Sequence, residues 1–563
     1  MASRYSLSAE LPATRKSLRL AKSGRGSAEH VQQQLSAMAS TPGPAAQDNI
    51  SVGPQNASTE PLKTCANNQD VTVRRHLSNG YKTNAKSETD AFKSQTSDCT
   101  YDDRGYLVLK PADVFGLTAN AFTQDQSNDQ GRPRSRRLAY LEGLRGILGI
   151  QVLLWTFFRI FAPAIVADRD IDGVYPAAFV ERAPGWQSIL RKVLSPLLFD
   201  GELQAAFFII LSGRASLQTF IERRQAVPLA GAAFKRPFRF IFPMAVTLAL
   251  VSLVVAVNGF RYAPALSSAL ENQLARPPVQ WKSALEYFNS LLFFMSTPLY
   301  FKTARATSFI PPSGTLWIVP VLFQQTYVMI ILAFTLPFTV LRYKNLGMIL
   351  LILTTAWVGR FSWYTLTGLL LAEWATVYRQ LLPRGRIPLD RAGVRSLPAY
   401  VPGLLFVLLG VMFKYLWIAG LPADANNEII AHVDGHTGKL NYSTDPASVA
   451  YPRYDNWLLA TGLLYLVELF PRVQRLLSSR PLVYLGRWAF SISLISGTLM
   501  LSLGSLVWHH LTTSLGWTSQ AAILAVLFLV LIPSTALLVD AYSRLVDDTT
   551  LWFSNWLFKW IRV

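Results

Sequence analysis

The run YLEGLRGILGIQVLLWTFFRIF, Tyr140 to Phe161, is almost uninterruptedly apolar, yet it carries Glu142, Arg145 and Arg159. About 20 apolar residues suffice for a helix to cross a bilayer, and this run has that length. Ionised side chains inside such a helix are costly, so something must offset them. On a helix, Arg145 and Thr156 share one face about 16 Å apart along the axis, with Glu142 one turn before them and Arg159 one turn beyond. Two readings of this stripe stand side by side. It is a polar track facing the interior of a helix bundle, or it is a Glu142/Arg145 pair at the membrane surface with Arg159 snorkelling toward the far side.

The 563-residue chain is 51% hydrophobic and 12% aromatic. Its mean hydropathy is +0.26 although its first 137 residues are polar, so the apolar residues are concentrated downstream. The pattern predicts an all-α polytopic membrane protein with about ten transmembrane helices, near 144–166, 203–222, 238–257, 315–340, 345–359, 362–382, 399–419, 455–471, 484–509 and 520–540. The apolar segment Tyr287 to Met295 is too short to cross and reads as a re-entrant or interfacial piece. Residues 1–130 lack apolar periodicity and read as a disordered cytosolic tail, since they cannot bury enough surface to offset the entropy of ordering. The transmembrane domain is expected over 138–545. Residues 546–563, ending WFSNWLFKWIRV, read as an interfacial aromatic and basic tail.

A formal charge of +19 would suggest nucleic acid in a soluble chain, but beside spanning helices it marks the cytosolic face, and no nucleic-acid partner is expected. Basic clusters precede the first span (RPRSRR) and follow the second, fourth, sixth and eighth. They place both termini in the cytosol and the 420–453 loop in the lumen. That loop carries a glycosylation acceptor pattern at Asn441 and Ser443, which agrees with a multi-pass glycoprotein of the endoplasmic reticulum or another secretory-pathway membrane. Membrane lipid is its expected surrounding.

Cys65 and Cys99 both lie in the polar tail, which excludes thiol chemistry and disulfides from the membrane core. His432 and His436 have helical metal-ligand spacing, but Gly435 and Gly438 interrupt them and a third ligand is lacking, so no metal is expected. Glu373 and Glu468 fall inside spans, where a carboxylate is a functional candidate by default; either would alternatively neutralise a buried arginine such as Arg214.

Several pieces, taken in order, share the pattern of one family. YLEGLRGILGI resembles the Leu-Asp-Gly-Leu-Arg-Gly opening of the acyltransferase-3 family of integral membrane acyltransferases. AAFFIILSGRASL (Ala205 to Leu217) resembles its Phe-Phe-x-x-Ser-Gly helix, and FKRPFRFIFPMAV (Phe234 to Val246) its Arg-x-x-Arg segment. GTLWIVPVLFQQTYV (Gly314 to Val328) is similar to its Leu-Trp helix, and PLVYLGRWAFSISLISG (Pro481 to Gly497) to its late Tyr-Leu-Gly segment. The resemblance spans about residues 138–545.

It implies transfer of an acyl group from acyl-CoA, on the cytosolic side, to a hydroxyl of a carbohydrate, lipid or small metabolite. Arg145, Arg236 and Arg239 match the family's arginines and would hold the CoA phosphates, for which fixed planar cations are suited. Glu142, Arg145, Thr156, Glu373 and Glu468 are then the candidates for catalysis. Where the family carries its proton-handling histidine and glutamate, this chain has Thr156 and Leu322, and its late His and Tyr align with Ser496 and Ser493. Threonine is no base at neutral pH. Two other classes therefore stay open: a catalytically lost relative that binds acyl-CoA, lipid or a partner protein, and a transporter, suggested by the intramembrane charges alone.

Overall fold

The computed structural model describes residues 138–166, 183–223, 226–272, 275–278, 281–296, 316, 318–335, 339, 341–378, 386–388, 396–422 and 452–562. All belong to one compact unit, Ala85–Val563. The expectations for the 1–130 tail, both cysteines, the Asn441 sequon and the His432/His436 pair lie outside the described residues.

The described chain is mostly helical (86%). Its principal helices, leaving shorter pieces unlabelled, are α1 (Ala139–Phe161), α2 (Gly185–Val193), α3 (Gly201–Ser216), α4 (Ala226–Ala256), α5 (Ala284–Ser296), α6 (Ile318–Thr335), α7 (Leu341–Trp357), α8 (Ser362–Glu373), α9 (Tyr400–Tyr415), α10 (Tyr454–Leu469), α11 (Arg480–His509), α12 (Gln520–Tyr542) and α13 (Asp548–Arg562). The expected all-α fold gains one addition, an antiparallel pair of three-residue strands, β1 (Arg386–Pro388) and β2 (Ser396–Pro398), with Ile387 opposite Leu397.

Six stretches among the described residues are long and apolar enough to cross a membrane: Ala139–Phe161, Ser195–Ile221, Val227–Ala256, Tyr400–Gly420, Arg480–Ser514 and Gln520–Ile561. They are compatible with an integral membrane protein. At the other four expected positions stand α6, α7, α8 and α10, of 18, 17, 12 and 16 residues. Each falls short of the roughly 20 residues of a standard crossing. Lys344 in α7, Glu373 in α8, and Asp455 and Glu468 in α10, all buried, also lower their hydropathy. The helix α5 has 13 residues, which agrees with the short piece expected there.

Outward-facing leucines such as Leu529 and Leu537 of α12 are 72% and 75% exposed, the surface of a helix with lipid as its neighbour. Inside, one apolar cluster joins Leu141, Ile210, Met244, Val319, Leu369 and Ala460, and a second gathers Phe157, Phe161, Leu501 and Leu527. The tightest seam runs between α1 and α11. A Cβ added to Gly146 would sit 2.4 Å from the Leu482 carbonyl oxygen, and one added to Gly486 would sit 2.2 Å from the Glu142 oxygen. Small residues thus let the two backbones touch, the arrangement favoured where no water drives apolar association. This seam fixes Glu142 and Arg145 relative to α11.

Candidate functional site

The site is built on RPFRFIFP, Arg236 to Pro243, within α4. A proline inside a helix cannot donate to the carbonyl four residues back, so Pro237 and Pro243 leave the carbonyls of Ala233 and Arg239 without that bond. The Tyr327 hydroxyl of α6 donates to Ala233 O at 3.4 Å. The Tyr542 hydroxyl at the end of α12 donates to Pro243 O at 2.7 Å and lies 2.9 Å from Thr247 Oγ1. Neighbouring helices thereby hold the interrupted stretch of α4. Arg236 and Arg239, three residues apart, project from one face of it.

Arg236 is half-buried, donates through Nη2 to Ser216 Oγ, and sits 5.7 Å from the Phe240 ring centroid. Arg239 is exposed to solvent. Like-charge repulsion couples Arg236 to Arg239 and both to Arg145, so three guanidiniums from α1 and α4 share one electrostatic site. Opposing them near Arg239 are the carboxylates of Glu142 and Asp547. Arg145 Nη1 donates to Glu142 Oε1 at 2.5 Å, and the two side chains remain 21% and 42% exposed. The expected i, i+3 pair is therefore present, and it is open to solvent.

Asp547 closes a five-residue π-helical turn, Ser543–Asp547, between α12 and α13. Ser491 Oγ of α11 donates to its Oδ2 at 2.5 Å, while Oδ1 is buried with no hydrogen-bond partner. Glu142 and Arg145 are thus paired, and Arg236 and Arg239 lie within electrostatic reach of Arg145. The other candidates have partners elsewhere. Thr156 is fully buried, and its hydroxyl donates to Val152 O at 2.8 Å within its own helix. Arg159 lies 4.8 Å from the Trp155 ring centroid. The stripe on α1 is therefore divided between an open ion pair at one end and a threonine turned onto its own backbone.

Glu468 Oε1 accepts from Arg214 Nε at 2.8 Å and from the Tyr140 hydroxyl at 2.7 Å, and Glu373 Oε1 accepts from Lys344 Nζ at 2.5 Å. Both carboxylates take the neutralising role, Glu468 with the arginine expected for it. Two residues beyond Leu322, Gln324 donates to Met295 O and Ser296 O, joining α6 to α5. The Ser493 hydroxyl donates to Ala489 O at 3.1 Å.

Asp547 and Ser491 were not among the sequence candidates. Nor was a second ionic cluster, in which Lys414 is buried against Asp200 and Asp455, with Arg453 beside Asp455. Lys414 carried a visible signal, a lone charge in the apolar run Tyr400–Gly420. Among the described residues, no group of three or more His, Cys, Asp or Glu could hold a metal ion. No family model, no curated protein and no solved structure matches this chain.

Proposed function

We propose that the protein is an acyltransferase-3-like membrane enzyme that transfers an acyl group from acyl-CoA to a hydroxyl of a carbohydrate, lipid or small metabolite. One observation carries the reading: Arg236 and Arg239, three residues apart on one face of α4, lie within electrostatic reach of Arg145 on α1, and these are the arginines of the resemblance. Such a gathering of cations, one pair on the face of a proline-interrupted helix, is suited to a polyanionic ligand, and planar guanidiniums bind phosphate oxygens two at a time. In this reading the arginines hold the donor's phosphates and stabilise the oxyanion formed when the thioester is attacked. The shorter helices α6, α7, α8 and α10 complete a ten-span bundle. Both termini and the arginine site face the cytosol, where acyl-CoA is present, in an endoplasmic reticulum or other secretory membrane. No metal takes part.

A second reading, a relative that binds acyl-CoA without turnover, is favoured by a separate observation. Thr156 is bonded within its own helix, and Glu373 and Glu468 are each paired with a buried cation. The deciding experiment measures CoA binding and release of free CoA thiol from acetyl-CoA and palmitoyl-CoA by the purified, detergent-solubilised chain, beside Arg145→Ala and Thr156→His. Arg145-dependent thiol release establishes the enzyme. Binding without release, with activity gained in Thr156→His, establishes the lost relative. Neither binding nor release by the wild type overturns both.

A further inference from the structure

We propose that Asp547 is the general base of the arginine site, taking the proton of the acceptor hydroxyl; the inference rests on the acyl-transfer reading above. Arginine cannot fill this role, because it stays protonated. Among the carboxylates placed by the structure, Glu142 is bonded to Arg145, Glu373 to Lys344 and Glu468 to Arg214. Asp540, nearest to Asp547 on the preceding helix, accepts from Tyr484 at 2.8 Å and pairs with Arg544 at 2.9 Å. Asp547 differs from all of these. Ser491 fixes one of its oxygens, and the other, Oδ1, is buried and uncommitted beside the Arg239 site.

The backbone places it there. Helix α12 is anchored at its end by Tyr542, which is bonded to Pro243 and Thr247 of α4. The next five residues wind as a π turn, a local change of register that re-aims side chains and recurs at functional sites. Its last residue is Asp547. A buried carboxylate oxygen without a donor is unfavourable, and a substrate hydroxyl supplies the missing donor. The Ser491 hydroxyl is committed to the Asp547 carboxylate, which makes it a positioning residue.

The acceptor O–H proton passes to Asp547 Oδ1 while the acceptor oxygen forms a bond to the thioester carbonyl carbon. The carbonyl electron pair moves onto oxygen, where the guanidiniums stabilise it. Collapse of the tetrahedral intermediate breaks the C–S bond, and the leaving thiolate takes the proton from the Asp547 carboxyl. Ester, free CoA thiol and the original carboxylate result.

The test uses the full chain in detergent with acetyl-CoA or palmitoyl-CoA as donor and octyl glucoside as the hydroxyl acceptor. Thiol release and acylated glucoside are followed, with CoA affinity measured by calorimetry. Asp547→Asn is expected to lower kcat by about 100-fold or more. Its CoA affinity should stay within about twofold, because the loss belongs to the transition state. Asp540→Asn, which removes a carboxylate on the preceding helix outside the site, should behave as wild type. Wild-type kcat in Asp547→Asn, with turnover abolished in Arg145→Ala, overturns the base assignment and leaves the acyl-transfer reading standing. Parallel loss of kcat, CoA affinity and thermal stability overturns it in favour of a counter-ion to Arg239. A wild type that neither binds CoA nor releases thiol overturns the reading and the base assignment together. Should Asp547→Asn fail to fold, Ser491→Ala decides, since it leaves the carboxylate and removes its anchor: lowered kcat with CoA affinity kept supports the base, and unchanged kcat overturns it.

Discussion

Arg214 and Glu468, remote in sequence, meet inside the bundle with Nε 2.8 Å from Oε1, and both side chains are only 4% exposed. Tyr140 and Gln218 complete the set of partners, so α1, α3 and α10 are joined at one buried point. A buried pair adds little over well-packed apolar groups, but removing one partner strands the other charge at a cost of about 3–5 kcal/mol. Glu468→Ala is therefore expected to lower thermal stability sharply, and Arg214→Met with Glu468→Leu to recover most of it. Thermal unfolding in detergent checks this. A single-mutant loss below about 1 kcal/mol, the size found for exposed pairs, would contradict it.

The Lys414 cluster should behave as a unit with an internal hierarchy. Lys414 Nζ donates to Asp200 Oδ2 and lies 3.6 Å from Asp455 Oδ2, while Arg453 Nε donates to Asp455 Oδ1 at 3.3 Å. Asp200 has a second task, capping α3 by accepting from the backbone amides of Glu202 and Leu203 at 2.9 and 3.2 Å. Lys414→Met strands the buried Asp200 carboxylate and leaves Asp455 with Arg453 alone, and is expected to cost about 3–5 kcal/mol. Adding Asp200→Asn should restore part of the loss, since asparagine still caps and Asp455 still has Arg453, whereas adding Asp200→Ala should restore less. Unfolding midpoints of the three variants give the ranking. Equal stability of the two double mutants would show that the cap contributes nothing.

These contacts mark what the sequence could and could not disclose. The Glu142/Arg145 pair is three residues apart on one helix, and such neighbours follow from helical geometry alone. The three arginines were legible because each stands in a recognisable local string. Glu468 and Glu373 announced themselves as charges in apolar runs, and electroneutrality of a buried site foretold partners for them. Asp547 sits in a polar stretch, SRLVDD, that reads as an ordinary helix end. Its place beside Ser491 depends on a π turn and on the anchoring of Tyr542 to α4, neither of which has a local signature. Of the ten expected spans, six stand as long apolar helices among the described residues and the other four are shorter, because hydropathy marks apolar helices without fixing their length.

The α1/α11 seam supplies a steric test. The Leu482 carbonyl oxygen stands 2.4 Å from any Cβ placed on Gly146, and a backbone carbonyl cannot swing aside as a side-chain tip can. Gly146→Ala must push the helices apart, an overpacking penalty of about 1–3 kcal/mol. Gly347 in the middle of α7 has nothing within 4 Å of its added Cβ, so Gly347→Ala is expected to be stabilising by about 1 kcal/mol through helix propensity alone. Opposite signs for the same chemical change, measured as shifts in Tm, are the expected outcome. A neutral Gly146→Ala would mean that the two backbones are not in contact.

Helix α13 divides its faces by chemistry. Trp552, Trp556 and Trp560 recur at one-turn intervals and are 65%, 50% and 68% exposed, while Ser554 and Thr550 are buried. On the inner side Phe558 and Phe553 pack against Phe234 and Phe238 of α4, at centroid distances of 5.7 and 5.9 Å, so the helix lies along the segment that bears Arg236 and Arg239. Indole rings favour the headgroup level, where one edge is wet and the other apolar. The chain has two cysteines, so Cys65→Ser and Cys99→Ser give a background in which Trp556→Cys carries the only spin label. In vesicles the label is expected about 5–10 Å into the headgroup and acyl boundary, relaxed by oxygen more than by an aqueous nickel complex. Predominant relaxation by the nickel complex would place the tryptophan face in water. The expected depth would instead set Asp547, one residue before α13 begins, at the level of the membrane surface.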